Sequence, residues 1–160
     1  MKTRLVFSVA IFTLGCAYNF SGFTTRSVKS IAVPVFENKT NRYGIEESIT
    51  KSVTDAFIKD NRLKVVDRKK AGSILLGEIT QYSREPFSYD DQRNVKDYKI
   101  DMGLNLTYLS ITVKDSSKTD TLLTKQISDW FAYSADSTEE SGIERLCVKI
   151  AEDIVKLILE

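Results

Sequence analysis

Alternating apolar and polar residues over positions 98–108 form the clearest pattern in the chain. Every second residue there is apolar: Tyr98, Ile100, Met102, Leu104, Leu106 and Tyr108. A period of two predicts a β-strand with one face turned to a core. Past Tyr108 the apolar phase moves to Leu109 and Ile111, which predicts a β-bulge or a bend at that point.

Four further segments predict the other strands of a sheet. Residues 30–36, 63–66 and 73–82 are short and rich in β-branched and aliphatic side chains. Residues 123–133 follow a polar turn at 115–120 and are expected to return alongside the central strand, which makes a long hairpin.

Two segments repeat apolar residues at intervals of three and four and predict amphipathic helices. The first covers residues 43–59 and has acidic residues at its start and Lys59 at its end, as the helix dipole favours. The second follows Ser137 and Glu140, spaced as a capping box. The order β-α-β-β-β-β-α predicts an α+β fold, with two helices packed on one face of a four- to five-stranded, mostly antiparallel sheet.

The N-terminus carries the pattern of a processing signal. A basic start precedes residues 5–14, of which eight of ten are apolar, a run too short to span a bilayer as a helix. Gly15 and Cys16 resemble the end of a bacterial lipobox, in which the cysteine is acylated and becomes the first residue. We therefore expect a signal peptide at 1–15, a lipidated tether at 16–29 and a single domain at 30–160. An ordinary secretory signal cut nearby is the alternative.

Composition and charge exclude several functions. With 42% hydrophobic and 28% charged residues, the 160-residue chain has the balance of a globular domain. Its net charge of +1 provides no general attraction to nucleic acid, so no nucleic-acid partner is expected. The absence of histidine removes Ser-His and Cys-His nucleophile pairs and the zinc sites that use histidine. No enzyme activity, cofactor or metal is expected.

Four side chains with possible chemistry have plain structural interpretations. The adjacent acids Asp90 and Asp91 lie in a polar loop and are expected to be solvated. Cys147 belongs to the apolar stripe of the second helix, so we expect a buried thiol without reactivity. Trp130 should face away from Phe131 and Tyr133, either contacting a partner or covering a second core.

Segments spread along the chain resemble, in the same order, the LPS-assembly lipoprotein family LptE. They are residues 15–22, 31–40, 44–46, 63–67 and 75–79. The resemblance implies a non-enzymatic outer-membrane lipoprotein with two helices against a four-stranded sheet. It implies a subunit that plugs and helps to assemble the LptD β-barrel and binds lipopolysaccharide during its transport to the outer leaflet. It also implies an anchor in outer-membrane lipid, with palmitate on Cys16, and a position facing the periplasm or inside the barrel lumen.

Candidate ligand-binding residues follow from the same resemblance. Family members are described as contacting lipopolysaccharide through basic residues near the loop before the long central strand and beyond the final strand. Arg93 is the nearest match to the first group, and its basic neighbours are Arg84, Lys96 and Lys99. A guanidinium can hold a phosphate through two parallel hydrogen bonds, which favours Arg93. Residues 134–138 offer no lysine or arginine for the second group, and a solvated loop charge is the alternative interpretation of Arg93.

Another class of protein shares part of this pattern. The first strand, first helix and second strand also resemble small α/β modules of bacterial lipoproteins that activate peptidoglycan synthases or build secretion pores. The long hairpin over residues 98–133 and the opening at 15–22 favour the LptE resemblance over this alternative.

Overall fold

A computed structural model describes residues 28–111 and 119–160 of the chain. The expected signal peptide, Cys16, most of the tether and most of the polar turn at 115–120 lie outside the described residues. The elements, in chain order, are β1 (Ser30–Ala32), β2 (Glu37–Asn38), α1 (Ile45–Asp60), β3 (Lys64–Val65), β4 (Ser73–Tyr89), β5 (Val95–Ile111), β6 (Thr119–Ser134) and α2 (Glu139–Leu159).

The strands form a mixed sheet in the order β3-β1-β4-β5-β6, with β2 also paired to β4. β1 runs parallel to both β3 and β4, while β4, β5 and β6 pair antiparallel through long registers. Helix α1 connects the β1–β2 segment to β3, a crossover that makes neighbouring strands parallel. The expected α+β fold is confirmed, with the parallel strands confined to the N-terminal part.

One face of the sheet and both helices enclose the core. The alternating residues of β5 from Ile100 to Tyr108 are buried, as the sequence pattern predicts. The buried side of α1 consists of Ile45, Ile49, Val53 and Phe57. The buried side of α2 consists of Gly142, Ile143, Leu146, Cys147, Ile150, Ala151, Ile154 and Val155. Apolar residues recurring at helical and strand periods therefore meet in a single cluster.

The helix ends follow local backbone chemistry. Helix α1 ends at Asn61, which has a left-handed backbone (φ 62°) and donates its N–H to the carbonyl of Phe57. Helix α2 is capped by Thr138, whose hydroxyl accepts the N–H of Ser141 at 3.3 Å. The capping box predicted to start at Ser137 is therefore wrong by one residue.

The long strands extend well beyond the helices. A strand of 17 residues spans about 56 Å, whereas α1 and α2 span only about 24 and 32 Å. β4 continues from the predicted end at Tyr82 to Tyr89, and residues 83–99 include no buried position. The β5–β6 pairing also shifts register between Tyr108 and Leu109, as the phase change predicts. Among the described residues, neither helix is long and apolar enough to cross a membrane.

Candidate functional site

The β4–β5 turn lies at the end of the sheet that the helices leave uncovered, and we call residues 89–97 the distal tip. Asp90 organises this turn because its side chain accepts the N–H groups of Gln92 at 2.9 Å and Asn94 at 2.8 Å. The Asn94 side-chain amide donates to the other Asp90 oxygen at 3.0 Å. These hydrogen bonds, that of the Asn94 side chain first, hold the pKa of Asp90 below its usual value.

Arg93 occupies a special position in the distal tip. Its backbone is left-handed (φ 68°), a conformation that costs a non-glycine residue about 1–2 kcal/mol, and its N–H donates to the Asp90 carbonyl at 3.0 Å. The side chain is exposed, and no ion pair engages it within the described residues. The turn therefore presents a guanidinium at the end of the sheet.

Arg84 lies on the helix side of the sheet, and its guanidinium is already engaged by other side chains. Its Nε donates to the Tyr133 hydroxyl, and the guanidinium stacks 3.6 Å from the centre of the Tyr98 ring. It also lies 3.5 Å from Glu139, in the first turn of α2. This arginine stabilises the junction between the sheet and α2 and does not project into solvent as a free cation.

Glu139 accepts hydrogen bonds from residues that lie far from it in the sequence. The Tyr82 hydroxyl donates to it at 2.7 Å, and Arg42 Nε donates to it at 3.0 Å. Burial, and after it the Glu139 carboxylate, raises the pKa of Tyr82 well above its usual value. Arg42 also pairs with Glu140 at 2.8 Å. Acidic residues at the start of α2 are visible in the sequence, but Arg42 lies 97 residues earlier than Glu139.

Lys99 lies on the opposite, uncovered face of the sheet. It pairs with Asp101 at 3.0 Å and with Glu85 at 3.4 Å. The hydrogen bond to Asp101 is the main reason that the pKa of Lys99 is raised. Its ammonium is also 5.7 Å from the centre of the Trp130 ring. Lys99 is therefore neutralised locally and stays separate from the distal tip.

Lys96 is the second exposed cation of the distal tip, at the start of β5. Its carbonyl accepts the N–H of Ala135 at 2.9 Å, so it lies beside the segment that follows β6. The four predicted basic residues thus divide into two groups. Arg93 and Lys96 lie at the tip, whereas Arg84 and Lys99 are engaged on opposite faces of the sheet.

Trp130 faces away from the core, as the strand alternation predicts. It pairs with Asp101 across the β5–β6 ladder and packs against Phe87, with 5.7 Å between ring centres. A small second cluster does form on the uncovered face, around Ala32, Ala71 and Ile74, but Trp130 is not part of it. The prediction that Trp130 covers a second core is therefore wrong, and a partner contact stays a prediction.

Other cavities and reactive groups are less suited to a ligand. A groove of about 700 Å³ lies between the outer sides of α1 and α2. Basic and acidic side chains line it in equal number, so the groove favours neither an anionic nor a cationic ligand. Burial raises the pKa of the Cys147 thiol to about 12, so this cysteine stays protonated. Within residues 28–111 and 119–160, no group of three or more His, Cys, Asp or Glu side chains could hold a metal.

Solved structures share this fold at low sequence identity. The hypothetical protein CT253 of Chlamydia trachomatis superposes with a TM-score of 0.57 and 7% identity, covering 82% of this chain and 95% of that one. Protein XCC0632 of Xanthomonas campestris gives 0.54 and 12%, covering 82% and 85%. The PelC dodecamer subunit of Paraburkholderia phytofirmans gives 0.52 and 10%, covering 81% and 86%. These likenesses show the fold alone.

Family assignment rests on the sequence comparison. No curated protein matches the chain. The family model described as "LptE: Lipopolysaccharide-assembly" matches residues 28–158, which include every strand and helix described above except the last residue of α2. This family consists of non-enzymatic lipoproteins. The chain therefore belongs to the LptE family of lipopolysaccharide-assembly lipoproteins.

Proposed function

We propose that this protein is an outer-membrane lipoprotein that plugs the LptD β-barrel, assists its assembly and binds lipopolysaccharide on its way to the outer leaflet. Family membership over residues 28–158 is the observation that carries the proposal. Residues 1–15 act as the signal peptide, residues 16–29 as the tether acylated at Cys16, and residues 30–160 as the domain. The protein works by binding and positioning and catalyses no reaction.

The distal tip supports the lipopolysaccharide part of this proposal. Arg93 is exposed and carries no ion pair within the described residues, so its guanidinium can bind a phosphate of lipid A through two hydrogen bonds. Asp90 in the same turn is engaged by backbone and amide donors, and Asp97 accepts the Ser88 hydroxyl. Asp91 is the remaining acid of the turn, and it is exposed to solvent. The distal tip holds three acidic residues and two cations, so the proposed contact depends on the directed hydrogen bonds of Arg93 and not on an excess of positive charge.

Lys96 supplies the second cation of the proposed phosphate site. Residues 134–138 contain no basic residue, although family members are described as using cations beyond the final strand. The hydrogen bond from Ala135 to Lys96 brings a lysine of the neighbouring strand beside that segment. A cation is therefore available at this location, but it is supplied by β5. Arg84 and Lys99 play a supporting part, because both are committed to other side chains.

The first test identifies the partner. The full chain, tagged after Glu160, is isolated from outer membranes in mild detergent, and the proteins recovered in stoichiometric amount are identified. We expect one large β-barrel protein. Recovery of a peptidoglycan synthase, or of a ring made only of this chain, would replace the proposal with the alternative class of lipoprotein module.

The second test concerns the distal tip. Arg93→Glu is expected to weaken lipopolysaccharide binding by the purified full chain about tenfold or more, because charge-assisted hydrogen bonds contribute about 1.5–3 kcal/mol. The melting temperature should stay unchanged, since the side chain contacts nothing buried. Binding is measured by titration in detergent micelles.

Arg68→Glu is the matched control for that test. Arg68 is also exposed and undergoes the same charge change, but it lies just before β4 begins, at the far end of the sheet. We expect binding to stay close to that of the unmodified chain. Equal losses in both variants would show a general charge effect, and unchanged binding in Arg93→Glu would remove Arg93 from the site.

A further inference from the structure

A hollow lies on the uncovered face of the sheet, around Gly103 in the middle of β5. Gln81 of β4 and Ser128 of β6 are its direct neighbours in the two ladders. Asp101 and Trp130, which pair with each other, form the adjacent row. Together they line a cavity of about 140 Å³, completed by the strand segments at Met102 and Asp129.

The glycine keeps this hollow open. A Cβ at position 103 would lie 3.3 Å from the Gln81 Cβ and 3.5 Å from the Thr80 hydroxyl oxygen. Gly103 does not have a positive φ, so the backbone conformation would accept other residues. Glycine inside a strand costs about 0.5–1 kcal/mol relative to alanine. Its presence here is explained by the space it leaves between its neighbours.

The ring of Trp130 lies beside the hollow and is held in place by its neighbours. Its side chain is 45% exposed, although large aromatic residues lose favourable burial when left in water. Phe87 packs against the ring, and the ammonium groups of Lys99 and Lys149 lie 5.7 and 5.9 Å from its centre. The ring is therefore oriented before any ligand arrives, which lowers the entropy cost of binding.

The polar residues that line the hollow are the neutral Gln81 and Ser128 and two aspartates, Asp101 and Asp129, each paired with a lysine. The Gln81 amide and the Ser128 hydroxyl face the hollow, and no side-chain hydrogen bond engages them in the part of the chain that the structure describes. Asp101 pairs with Lys99, and Glu85 adds a second acid to the same cation. Because Lys99 and Lys149 are both already paired with acidic side chains, this cluster does not favour a phosphate.

From this geometry we propose that the hollow is a saccharide subsite that binds one hexose ring of a glycan. The apolar face of a sugar ring stacks on the indole of Trp130, and its hydroxyls bond to Gln81, Asp101 and Ser128. The volume of about 140 Å³ equals that of about five water molecules, which matches a ligand of the size of a single ring. This inference goes beyond the proposed function, because it concerns a neutral ring on a different face from Arg93.

Two glycans of the bacterial envelope could supply such a ring, and the test separates them. Trp130 is the only tryptophan in the chain, so intrinsic fluorescence of the purified full-length protein reports directly on this hollow. One titration uses the oligosaccharide of lipopolysaccharide after removal of lipid A. The other uses soluble disaccharide fragments of peptidoglycan. We expect one of the two to change the Trp130 emission in a saturable way, and its identity assigns the source.

Gly103→Val tests the hollow itself. A β-branched residue suits a strand, so we expect the fold to persist. The added side chain fills the hollow, so we expect the affinity for the glycan to fall at least about tenfold. Asn105→Val is the matched control, two residues along the same face of the same strand. It should bind as the unmodified chain does. Arg93→Glu should also retain glycan binding, which keeps failure of this inference distinct from failure of the phosphate site.

Three results would overturn the proposal. They are no change of Trp130 emission with either glycan up to about 10 mM, unchanged affinity in Gly103→Val, and an equal loss in Asn105→Val. If circular dichroism shows that Gly103→Val does not fold, Trp130→Ala replaces it, with binding measured by calorimetry. Retained affinity in that variant would equally refute a sugar ring stacked on the indole.

Discussion

Phe57→Ala is expected to lower the free energy of unfolding by about 3–5 kcal/mol, because it empties a fully buried position in α1. Phe57 is among the largest side chains in the core and has no exposed surface. Removing its ring loses both the burial of apolar area and the packing contacts around the cavity that remains. Urea denaturation of the purified chain, followed by circular dichroism, measures the effect.

Ile58→Ala provides the control at the next residue of the same helix. Ile58 is 59% exposed, so its truncation should change the free energy of unfolding by less than about 0.5 kcal/mol. Both variants place alanine in α1 and therefore share its favourable helix propensity. A loss below about 1 kcal/mol in Phe57→Ala would contradict the packing of α1 against the sheet.

Gly77→Ala is expected to destabilise the protein by about 1–3 kcal/mol through overpacking. Gly77 lies in β4 opposite Leu106, and a Cβ there would meet the ring of Phe36 at 2.4 Å. Phe36 is itself buried in the core, where side chains are closely packed, so moving its ring would disturb its neighbours. Replacing glycine by alanine normally stabilises a protein slightly, because it restricts the unfolded chain, and the overpacking at Phe36 acts against that gain. Thermal unfolding measures the net change in stability.

Gly72→Ala and a double variant test the cause of that loss. At Gly72 the added Cβ would make only ordinary contacts of 3.5–3.8 Å, so stability should be unchanged or slightly higher. Phe36→Leu shortens the opposing side chain, and in combination with Gly77→Ala it should cost less than the two single changes added together. Strict additivity would show that Phe36 is not the obstacle.

Three surfaces of the molecule differ in chemistry because the helices cover only part of one face. Arg84 and Glu139 belong to the covered side, where they join β4 to α2. Arg93 lies at the distal tip, and Trp130 lies on the uncovered face. The proposed phosphate contact and the proposed saccharide subsite are therefore separate, and variants at one surface should leave the other intact.

Much of the secondary structure follows from the sequence because its periods are long and regular. The apolar stripe that contains Ile49 and Val53 predicts α1, and the alternation around Leu104 predicts β5. Asn61, a residue type that tolerates a left-handed backbone, lies at the end of α1. Cys147 is buried, as its place in the stripe of α2 indicates. In each case the local pattern and the global fold favour the same conformation.

The distal part of β4 could not be predicted in this way. Residues 83–89 include no buried position and show no alternation, so neither face of this part of the strand is selected for burial. Pairing with β5 extends the strand there, with register shifts on both sides of Ser88. Backbone hydrogen bonds to a neighbouring strand cannot be predicted from the local pattern of side chains.

The sequence by itself determined the two helices and the long hairpin, because these follow from the periodic spacing of apolar residues. It also determined the family, because the segments that resemble the family stand in the same order. Only the tertiary structure decided which cations remain available. Arg84, Arg93, Lys96 and Lys99 are equivalent as sequence neighbours, yet two of them are engaged by residues of other elements. Tyr133 of β6 and Glu139 of α2 contact Arg84, and Glu85 of the neighbouring strand β4 pairs with Lys99. Likewise, Phe87 and Trp130 meet across the sheet. Such contacts arise from strand register, which sets distances between residues far apart in the chain.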